Sequence, residues 1–314
     1  MAALVIASHD NRELREATRR VVTAAAAHWG PVDVLVAGTN CAAVAGAAAG
    51  VAGVARVLLA DGEALAGGLA EPLAALIAAH AANYSVVVAA ADSSGRETLP
   101  RAAALCGAVS VDNVVQVISA TTFVRASHAG TVLETVAVTA PVTFVTLQTG
   151  GFVPAAASGG LATVSVVSAP PPWPRTRVTA RGAGAAGGER LDSARRVIGI
   201  GRGVDGASMT VATRIAAAIG AVLGASRPAV DAGLLPGELL LGQSGKTVTP
   251  DLYLALGVSG AVQHVTGFRD SRVIAAVNSD PSAPIFAAAD VCWVADLADA
   301  LPALERALMD PDLQ

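Results

Sequence analysis

The sequence predicts an α/β protein of two domains, each a mainly parallel sheet flanked by helices. The chain has 314 residues, enough for two separate cores. Short valine-rich segments alternate with longer alanine-rich ones, as strands and helices do in a parallel sheet. Residues 169–188 contain PPPWP and GAGAAGG, a composition typical of a connector. We therefore expect one domain at residues 1–188, with the connector at its end, and a second at residues 189–314.

The elements of the first domain follow local propensity, with valines in the predicted strands and alanines in the helices. Strands are predicted over residues 4–7, 32–37, 55–59 and 85–90, and helices over residues 13–27, 72–81 and 97–105, with one more helix between the second and third strands. Asp10 and Asn11 are expected to open the first helix. This alternation predicts a Rossmann-like arrangement.

Residues 109–167 carry a different pattern, because their threonine- and valine-rich stretches lack a helical period. We expect antiparallel or mixed additions to the sheet here. Pro141 and Pro154 should then lie at strand ends or edges, since proline cannot donate to a central ladder. We find no phosphate-binding fingerprint in this domain.

The second domain opens with RVIGIGRG at residues 196–203, a strand followed by a glycine-rich turn. The turn lacks the full spacing of a dinucleotide fingerprint, so it is a weak signal. The remaining predictions are a helix over residues 209–219, strands over 221–224, 253–258, 272–277 and 291–295, a glycine-rich loop over 236–246, and a C-terminal helix over 298–309. These elements again predict a Rossmann-like sheet.

A candidate ligand site follows the strand predicted at residues 253–258. Ser259 and Gly260 interrupt the apolar run where a helix would begin, and serine is a good N-cap. Backbone N–H groups at residues 259–262 should then be free, which favours an anion or an electron-rich ring edge. Asn278 ends the next strand, at the sheet edge where ligands bind in parallel sheets. An ordinary βαβ unit with a polar turn is the alternative.

Composition excludes several other classes of protein. The net charge of −4 gives no reason to expect nucleic acid, and no apolar span has the length of a membrane helix. The N-terminal MAALVIASHD lacks the basic segment of a signal peptide. Three separated cysteines favour reduced thiols and a cytoplasmic location. Because GxSxG, HExxH and CxxC motifs are absent, we predict no catalytic and no metal-binding residues.

Residues 252–286 carry the most specific pattern. It is a tyrosine, an apolar run, Ser-Gly-x-x-Gln-His, then Ala-x-Asn-x-Asp and Ala-Pro-Ile-Phe. The matching residues are Tyr253, Ser259, Gly260, Gln263, His264, Gly267, Ala276, Asn278, Asp280, Ala283, Pro284, Ile285 and Phe286. This stretch resembles the electron transfer flavoprotein alpha subunit. The resemblance covers residues 190–310 strongly, and the first half only in its order of elements.

The resemblance implies a noncovalent FAD on the second domain and a beta subunit covering the other side of its ring. The cofactor-binding residues that it implies are Arg202, Ser226, Arg227, Leu241, Gly242, Gln243, Ser244, Ser259, Gly260, Ala261, Val262, Gln263, His264, Asn278, Asp296 and Leu297.

Three of these residues would tune the flavin ring. Arg227 would lie over it and favour its reduced, anionic forms, although a surface ion pair is the simpler alternative. His264 would donate a hydrogen bond near N1 and O2, although a lone histidine is usually structural. Ser244 stands where the family usually has threonine, with its hydroxyl directed at N5. Serine keeps that donor and loses the methyl group that restricts the rotamer.

The remaining residues would hold the other parts of FAD. Arg202, Ser226 and the N–H groups after Ser259 would bind the pyrophosphate. Asn278 and Asp296 would serve the ribityl or adenosine end.

The resemblance implies an electron carrier without a small-molecule substrate of its own. Electrons would come from dehydrogenases, such as those acting on acyl-CoA in fatty acid β-oxidation, and pass singly to a quinone-linked oxidoreductase. A bifurcating relative with a second flavin on the beta subunit would carry the same sequence features. Two alternatives belong to other classes: a substrate-converting flavin or nicotinamide oxidoreductase, and a non-redox adenine nucleotide-binding module.

Overall fold

The computed structural model describes residues 2–128, 130–179, 191 and 194–309. The chain divides into two compact units, residues 1–181 and 182–314. The domain boundary expected after residue 188 lies outside the described residues, so that limit stays a prediction. Within the described ranges, no helix is both long and apolar enough to cross a membrane.

A nine-stranded sheet forms the first unit within the described residues. Its strands are β1 (Ala3–Ile6), β2 (Val32–Gly38), β3 (Val54–Asp61), β4 (Val86–Ala90), β5 (Val109–Ser119), β6 (Thr122–Ser127), β7 (Val132–Ala137), β8 (Thr143–Leu147) and β9 (Thr163–Val166). Their spatial order is β7-β6-β5-β8-β4-β1-β2-β3-β9. The helices are α1 (Glu16–Trp29), α2 (Ala42–Ala49), α3 (Ala70–Ala81) and α4 (Ser93–Leu105).

The pairing within this sheet confirms a mixed addition after the fourth strand. The ladders of β1 to β4 are parallel, and β8 and β9 also pair in parallel with β4 and β3. Among the ladders between strands of the described residues, only β5–β6 and β6–β7 are antiparallel. Valine and leucine side chains of the central strands form a core on each face. The class predicted for this half is therefore correct.

Two aspartates occupy helix starts at the carboxyl edge of the first sheet. Asp92 caps α4 by accepting from the Gly95 N–H at 2.8 Å, and its other oxygen accepts from the Ser8 hydroxyl at 2.7 Å. Asp61, at the end of β3, accepts from the backbone N–H groups of Asn40 and Cys41 just before α2. The donors that a ligand anion would use at these places already have carboxylate partners.

The second unit is a five-stranded, fully parallel sheet within the described residues. Its strands are β10 (Arg196–Ile200), β11 (Val222–Ala225), β12 (Leu252–Leu256), β13 (Ile274–Asn278) and β14 (Val291–Val294), in the order β11-β10-β12-β13-β14. Its helices are α5 (Gly206–Ile219), α6 (Arg227–Asp231), α7 (Val262–Val265) and α8 (Leu297–Met309). The Rossmann-like, mainly parallel architecture predicted for this half is confirmed.

The two faces of the second sheet are covered differently. Helices α5 and α8 pack on one face, where Ile198, Ile215 and Leu301 are buried. Irregular segments cover the other face, with Leu241 and Phe268 in its core. Because the long helices lie on one face only, the loops at residues 236–248 and 257–268 cover the other face and reach the carboxyl edge of the sheet.

Helix starts are where the sequence prediction was wrong. Helix α1 begins at Glu16 and not at residue 13, because Asp10 accepts from the N–H groups of Arg12 and Glu13 in a separate turn. Helix α4 begins at Ser93, four residues earlier than predicted, since Asp92 caps it. The short helix α6 was not predicted. Local caps compete within a few residues, and tertiary contacts decide which one starts the helix.

Candidate functional site

The candidate site lies at the carboxyl edge of the second sheet. Strands β10 and β12 are neighbours, while the chain passes from β10 to β11 on the opposite side. Strand order therefore reverses between β10 and β12, the position at which parallel sheets form a ligand crevice. Seven of the sixteen residues implied by the resemblance follow β10 and β12 in sequence, and six more follow β11.

Glycines bring the turns after β10 and β12 into direct contact. A Cβ on Gly201 would lie 2.0 Å from the Gly257 carbonyl oxygen, so only glycine fits there. Arg202 comes next and is exposed, with no hydrogen bond or ion pair to any residue in the described ranges. Its guanidinium is therefore available to a ligand beside the crevice.

The turn after β12 holds a row of free backbone donors. Gly260 has a φ of +88°, and a Cβ there would lie 2.1 Å from the Ile285 nitrogen. The Ile285 N–H donates to the Ser259 carbonyl at 3.1 Å, which fixes the turn. None of the N–H groups of residues 259–263 has an acceptor in the described part of the chain. Such a row suits the oxygens of a pyrophosphate.

Ser259 does not cap the helix that follows, contrary to the sequence prediction. Helix α7 begins at Val262, and its N-cap is Ala261, which has no capping side chain. The tight φ at Gly260 delays the helix by two residues. The free N–H groups expected at residues 259–262 are nevertheless present, because the turn at Gly260 and not a helix cap leaves them without acceptors.

The glycine-rich loop is tied to α7 by close backbone contacts. Gly242 has a φ of +121°, and a Cβ there would lie 2.3 Å from the Gln263 carbonyl oxygen. The Gln243 N–H donates to that same oxygen at 2.7 Å. Leu241 is anchored by its N–H, which donates to the Ala225 carbonyl at 2.9 Å. Ser244 follows as an exposed residue, and its hydroxyl has no partner within the described ranges.

His264 is buried, and both of its ring nitrogens face protein groups. Nδ1 lies 3.0 Å from the Leu241 carbonyl oxygen, and Nε2 lies 3.3 Å from the Tyr253 hydroxyl. Burial lowers the pKa of the ring, against a smaller opposing effect of the Leu241 hydrogen bond. A carbonyl only accepts, so Nδ1 carries the proton of the neutral ring. Nε2 then holds a lone pair and accepts from the Tyr253 hydroxyl.

Arg227 forms a surface ion pair with Asp231, as the alternative interpretation of this residue predicted. Its Nε lies 2.8 Å from the Asp231 Oδ1 within α6, and its side chain is 66% exposed. An exposed pair of this kind contributes little stability, roughly 0.2–1 kcal/mol, so a ligand can compete for the guanidinium. Ser226 is buried and caps α6 by accepting from the Ala229 N–H at 3.4 Å.

The residues assigned to the ribityl or adenosine end differ in their availability. Asn278 uses its amide to hold the turn after β12, donating to the Val258 carbonyl at 2.8 Å. Asp296 is exposed and accepts from the Ala298 N–H at 2.9 Å. The Leu297 side chain is buried in the core beside Gly257. Only its backbone remains for a ligand.

Sequence reasoning missed two residues that act on the site. Asp231 follows Arg227 by four positions, the spacing of an ion pair along a helix, and that spacing was a usable signal. Tyr253 was read only as part of the motif. Its contact with His264 joins a strand to a helix and has no local signal. No group of three potential metal ligands occurs among the described residues.

Comparisons with known proteins agree along nearly the whole chain. A family model described as the electron transfer flavoprotein domain matches residues 3–172, and one described as the electron transfer flavoprotein FAD-binding domain matches residues 190–269. The electron transfer flavoprotein subunit alpha of Pseudomonas aeruginosa is 46% identical over 98% of this chain and 100% of its own length. The subunit of the same name from Paracoccus denitrificans is 40% identical over 97% and 99%. The probable mitochondrial subunit alpha of Caenorhabditis elegans is 39% identical over 98% and 93%.

Proposed function

This chain belongs to the electron transfer flavoprotein alpha-subunit family, and from that premise we propose how its residues hold and tune FAD. The protein is an FAD-binding electron carrier that works with a beta subunit. FAD supplies the redox chemistry when it is bound, and the chain supplies binding, orientation and electrostatics. The observation that supports the residue assignments best is the row of free N–H groups at residues 259–263.

The pyrophosphate is assigned to this row of donors. Backbone N–H groups of Ser259, Gly260, Ala261, Val262 and Gln263 would donate to its oxygens. Arg202, free of protein partners in the described ranges, would add a charge-assisted contact. Ser226 would donate its hydroxyl proton while its oxygen keeps capping α6.

The ring of FAD is assigned to the glycine-rich loop and to two basic side chains. Ser244 would offer its unpartnered hydroxyl to N5, and the backbone of residues 241–243 would line the ring. Arg227 would leave Asp231 and lie over the ring. Both ring nitrogens of His264 face protein groups, so a donor role toward N1 and O2 would require Nε2 to leave the Tyr253 hydroxyl. With that contact kept, a second proton on Nε2 would let His264 act on the ring through its positive charge. The histidine would then be a cation beside the negative charge of the reduced cofactor.

The other end of the cofactor is assigned to the last two strands. Asp296, exposed before α8, would accept from ribose hydroxyls. Asn278 would act through the turn that it holds, and Leu297 through its backbone.

We further propose that the carrier converts no substrate of its own. We also propose that its first domain ends at residue 188 and its second begins at residue 189. Its donors would be dehydrogenases, among them acyl-CoA dehydrogenases of fatty acid β-oxidation, and its acceptor a quinone-linked oxidoreductase. Exposed free thiols at Cys106 and Cys292 suit a reducing compartment, so we propose the cytoplasm.

One preparation tests these points together. The chain is coexpressed with its beta subunit, and the absorption spectrum is followed through stepwise anaerobic reduction. A bound flavin that accepts electrons one at a time from an acyl-CoA dehydrogenase supports the carrier function. Turnover of a small substrate without any partner protein would contradict it. A colourless preparation that binds AMP would contradict the FAD assignments as well.

A further inference from the structure

Packing fixes the position of the Tyr253 hydroxyl. Tyr253 is completely buried, and its ring stacks on Phe268 with the centroids 3.7 Å apart and the planes at 6°. The hydroxyl lies over Gly199 of β10, where a Cβ would come within 1.8 Å of the oxygen. In the described part of the chain, the hydroxyl makes one hydrogen bond, to His264. A buried hydroxyl that loses its single partner is left unsatisfied at a cost in free energy, so the fold favours keeping the contact between Tyr253 and His264.

The same contact completes the enclosure of the His264 ring. The ring meets Phe268 edge-on at 5.2 Å and 67°, and its Nδ1 faces the Leu241 carbonyl. Leu241 belongs to the same glycine-rich loop as Gln243 and Ser244. A chain of two hydrogen bonds therefore runs from β12 through the histidine to the loop assigned to the ring of FAD. The three groups come from separate parts of the sequence.

We propose that Tyr253 is a positioning residue of the FAD site, which holds His264 with its proton on Nδ1 and its Nε2 engaged by the Tyr253 hydroxyl. The proposal rests on the site assignments above and adds a residue to them. A phenolic hydroxyl can donate to the lone pair of the neutral ring and, after rotation, accept from a protonated Nε2. Tyr253 is therefore a partner for His264 in both protonation states. A phenylalanine there would fill the same space without that partner.

The test uses Tyr253→Phe in the FAD-loaded heterodimer, with ring-¹⁵N-labelled histidine. The chain has five histidines, and His264→Gln assigns the resonances of His264. We expect Nδ1 protonated in the unsubstituted protein, and a shift of the Nε2 resonance in Tyr253→Phe while Nδ1 stays in place. The midpoint potential of the first electron should fall, since a less restrained His264 stabilises the reduced cofactor less. His264→Gln should lower it further.

Tyr84→Phe is the matched control, because Tyr84 is the only other tyrosine and is also buried. Its hydroxyl donates to Asp33 in the first unit at 2.7 Å. Its removal should move neither the His264 resonances nor the potential.

Three results would overturn the role of Tyr253. These are an Nε2-protonated His264 in the unsubstituted protein, an unmoved Nε2 resonance in Tyr253→Phe, or an unchanged potential in that variant while His264→Gln lowers it. An unchanged potential in His264→Gln would instead overturn the assignment of His264 to the ring, and with it this proposal. The ¹⁵N resonances of His264 in the unsubstituted protein show which ring nitrogen is protonated, even if Tyr253→Phe does not fold.

Discussion

Gly260→Ala should damage both the stability of the second unit and its retention of FAD. The residue has a φ of +88°, so an alanine would carry about 1–2 kcal/mol of backbone strain. Its Cβ would lie 2.1 Å from the Ile285 nitrogen and 2.7 Å from the Pro284 carbonyl carbon. These are backbone atoms that cannot rotate away, and relieving such a contact costs a further ~1–3 kcal/mol.

Strain and contact together predict a loss of about 2–5 kcal/mol, a large part of the ~5–15 kcal/mol that stabilises a typical domain. The variant is measured by urea unfolding of the heterodimer, with FAD fluorescence followed in the same titration. A midpoint lower by roughly 1–2 M is expected from ordinary urea slopes. FAD should leave before the chain unfolds, because the row of N–H groups is displaced first.

Gly206→Ala is the control within the same unit. Gly206 is the first residue of α5, and a Cβ there would meet no atom within 4 Å. Alanine is the better helix former, so this variant should equal the unsubstituted protein or gain up to ~1 kcal/mol. If Gly260→Ala unfolds at the unsubstituted midpoint and keeps its FAD, the close contact with Ile285 is refuted.

Three further predictions concern single side chains. Ser244→Ala should keep FAD bound and alter the unfolding free energy by less than ~0.5 kcal/mol, yet accumulate less one-electron reduced flavin in a spectral titration; an unchanged yield would refute the N5 contact. Arg202→Gln should weaken FAD binding about tenfold or more in equilibrium dialysis, whereas Arg214→Gln, which breaks a pair with Glu305, should not. Burial, followed by the hydrogen bond to Asp33, raises the pKa of Tyr84 to about 12 from 10.0. The folded state therefore keeps a proton that the unfolded state loses, and the stability that depends on it should fall from pH 10 to about 12, but not in Tyr84→Phe.

The sequence predicted the central strands well because each of them is a short run of buried apolar residues. Residues 32–37, for example, became Val32–Gly38. Helix starts were predicted less well, since Asp10 and Asp92 are equally good caps by residue type. Only the fold shows that Asp92 starts a helix and Asp10 a separate turn.

The turn that carries the candidate site could be predicted from sequence, although its internal contacts could not. The Ser259-Gly260 break marked the turn with free N–H groups correctly. The partners of His264 lie 11 and 23 residues away, at Tyr253 and Leu241, and no local pattern encodes such pairs. The pair of Arg227 with Asp231 is the opposite case, because a spacing of four residues within a helix is visible in the sequence.

The carboxylates at the edge of the first sheet make the two halves of the chain differ in their ability to bind a phosphate group. Asp61 and Asp92 neutralise the helix starts that would otherwise attract an anion, and they would repel a phosphate that approached. In the second unit, Asp205 likewise caps α5 by accepting from the Ser208 N–H, but the turn at residues 259–263 keeps its donors uncommitted. A phosphate-bearing molecule would therefore find free N–H groups at the turn after β12, whereas carboxylates already occupy the starts of α2 and α4. The choice of such a molecule between the two sheets would depend on repulsion by these aspartates as well as on attraction by the free N–H groups.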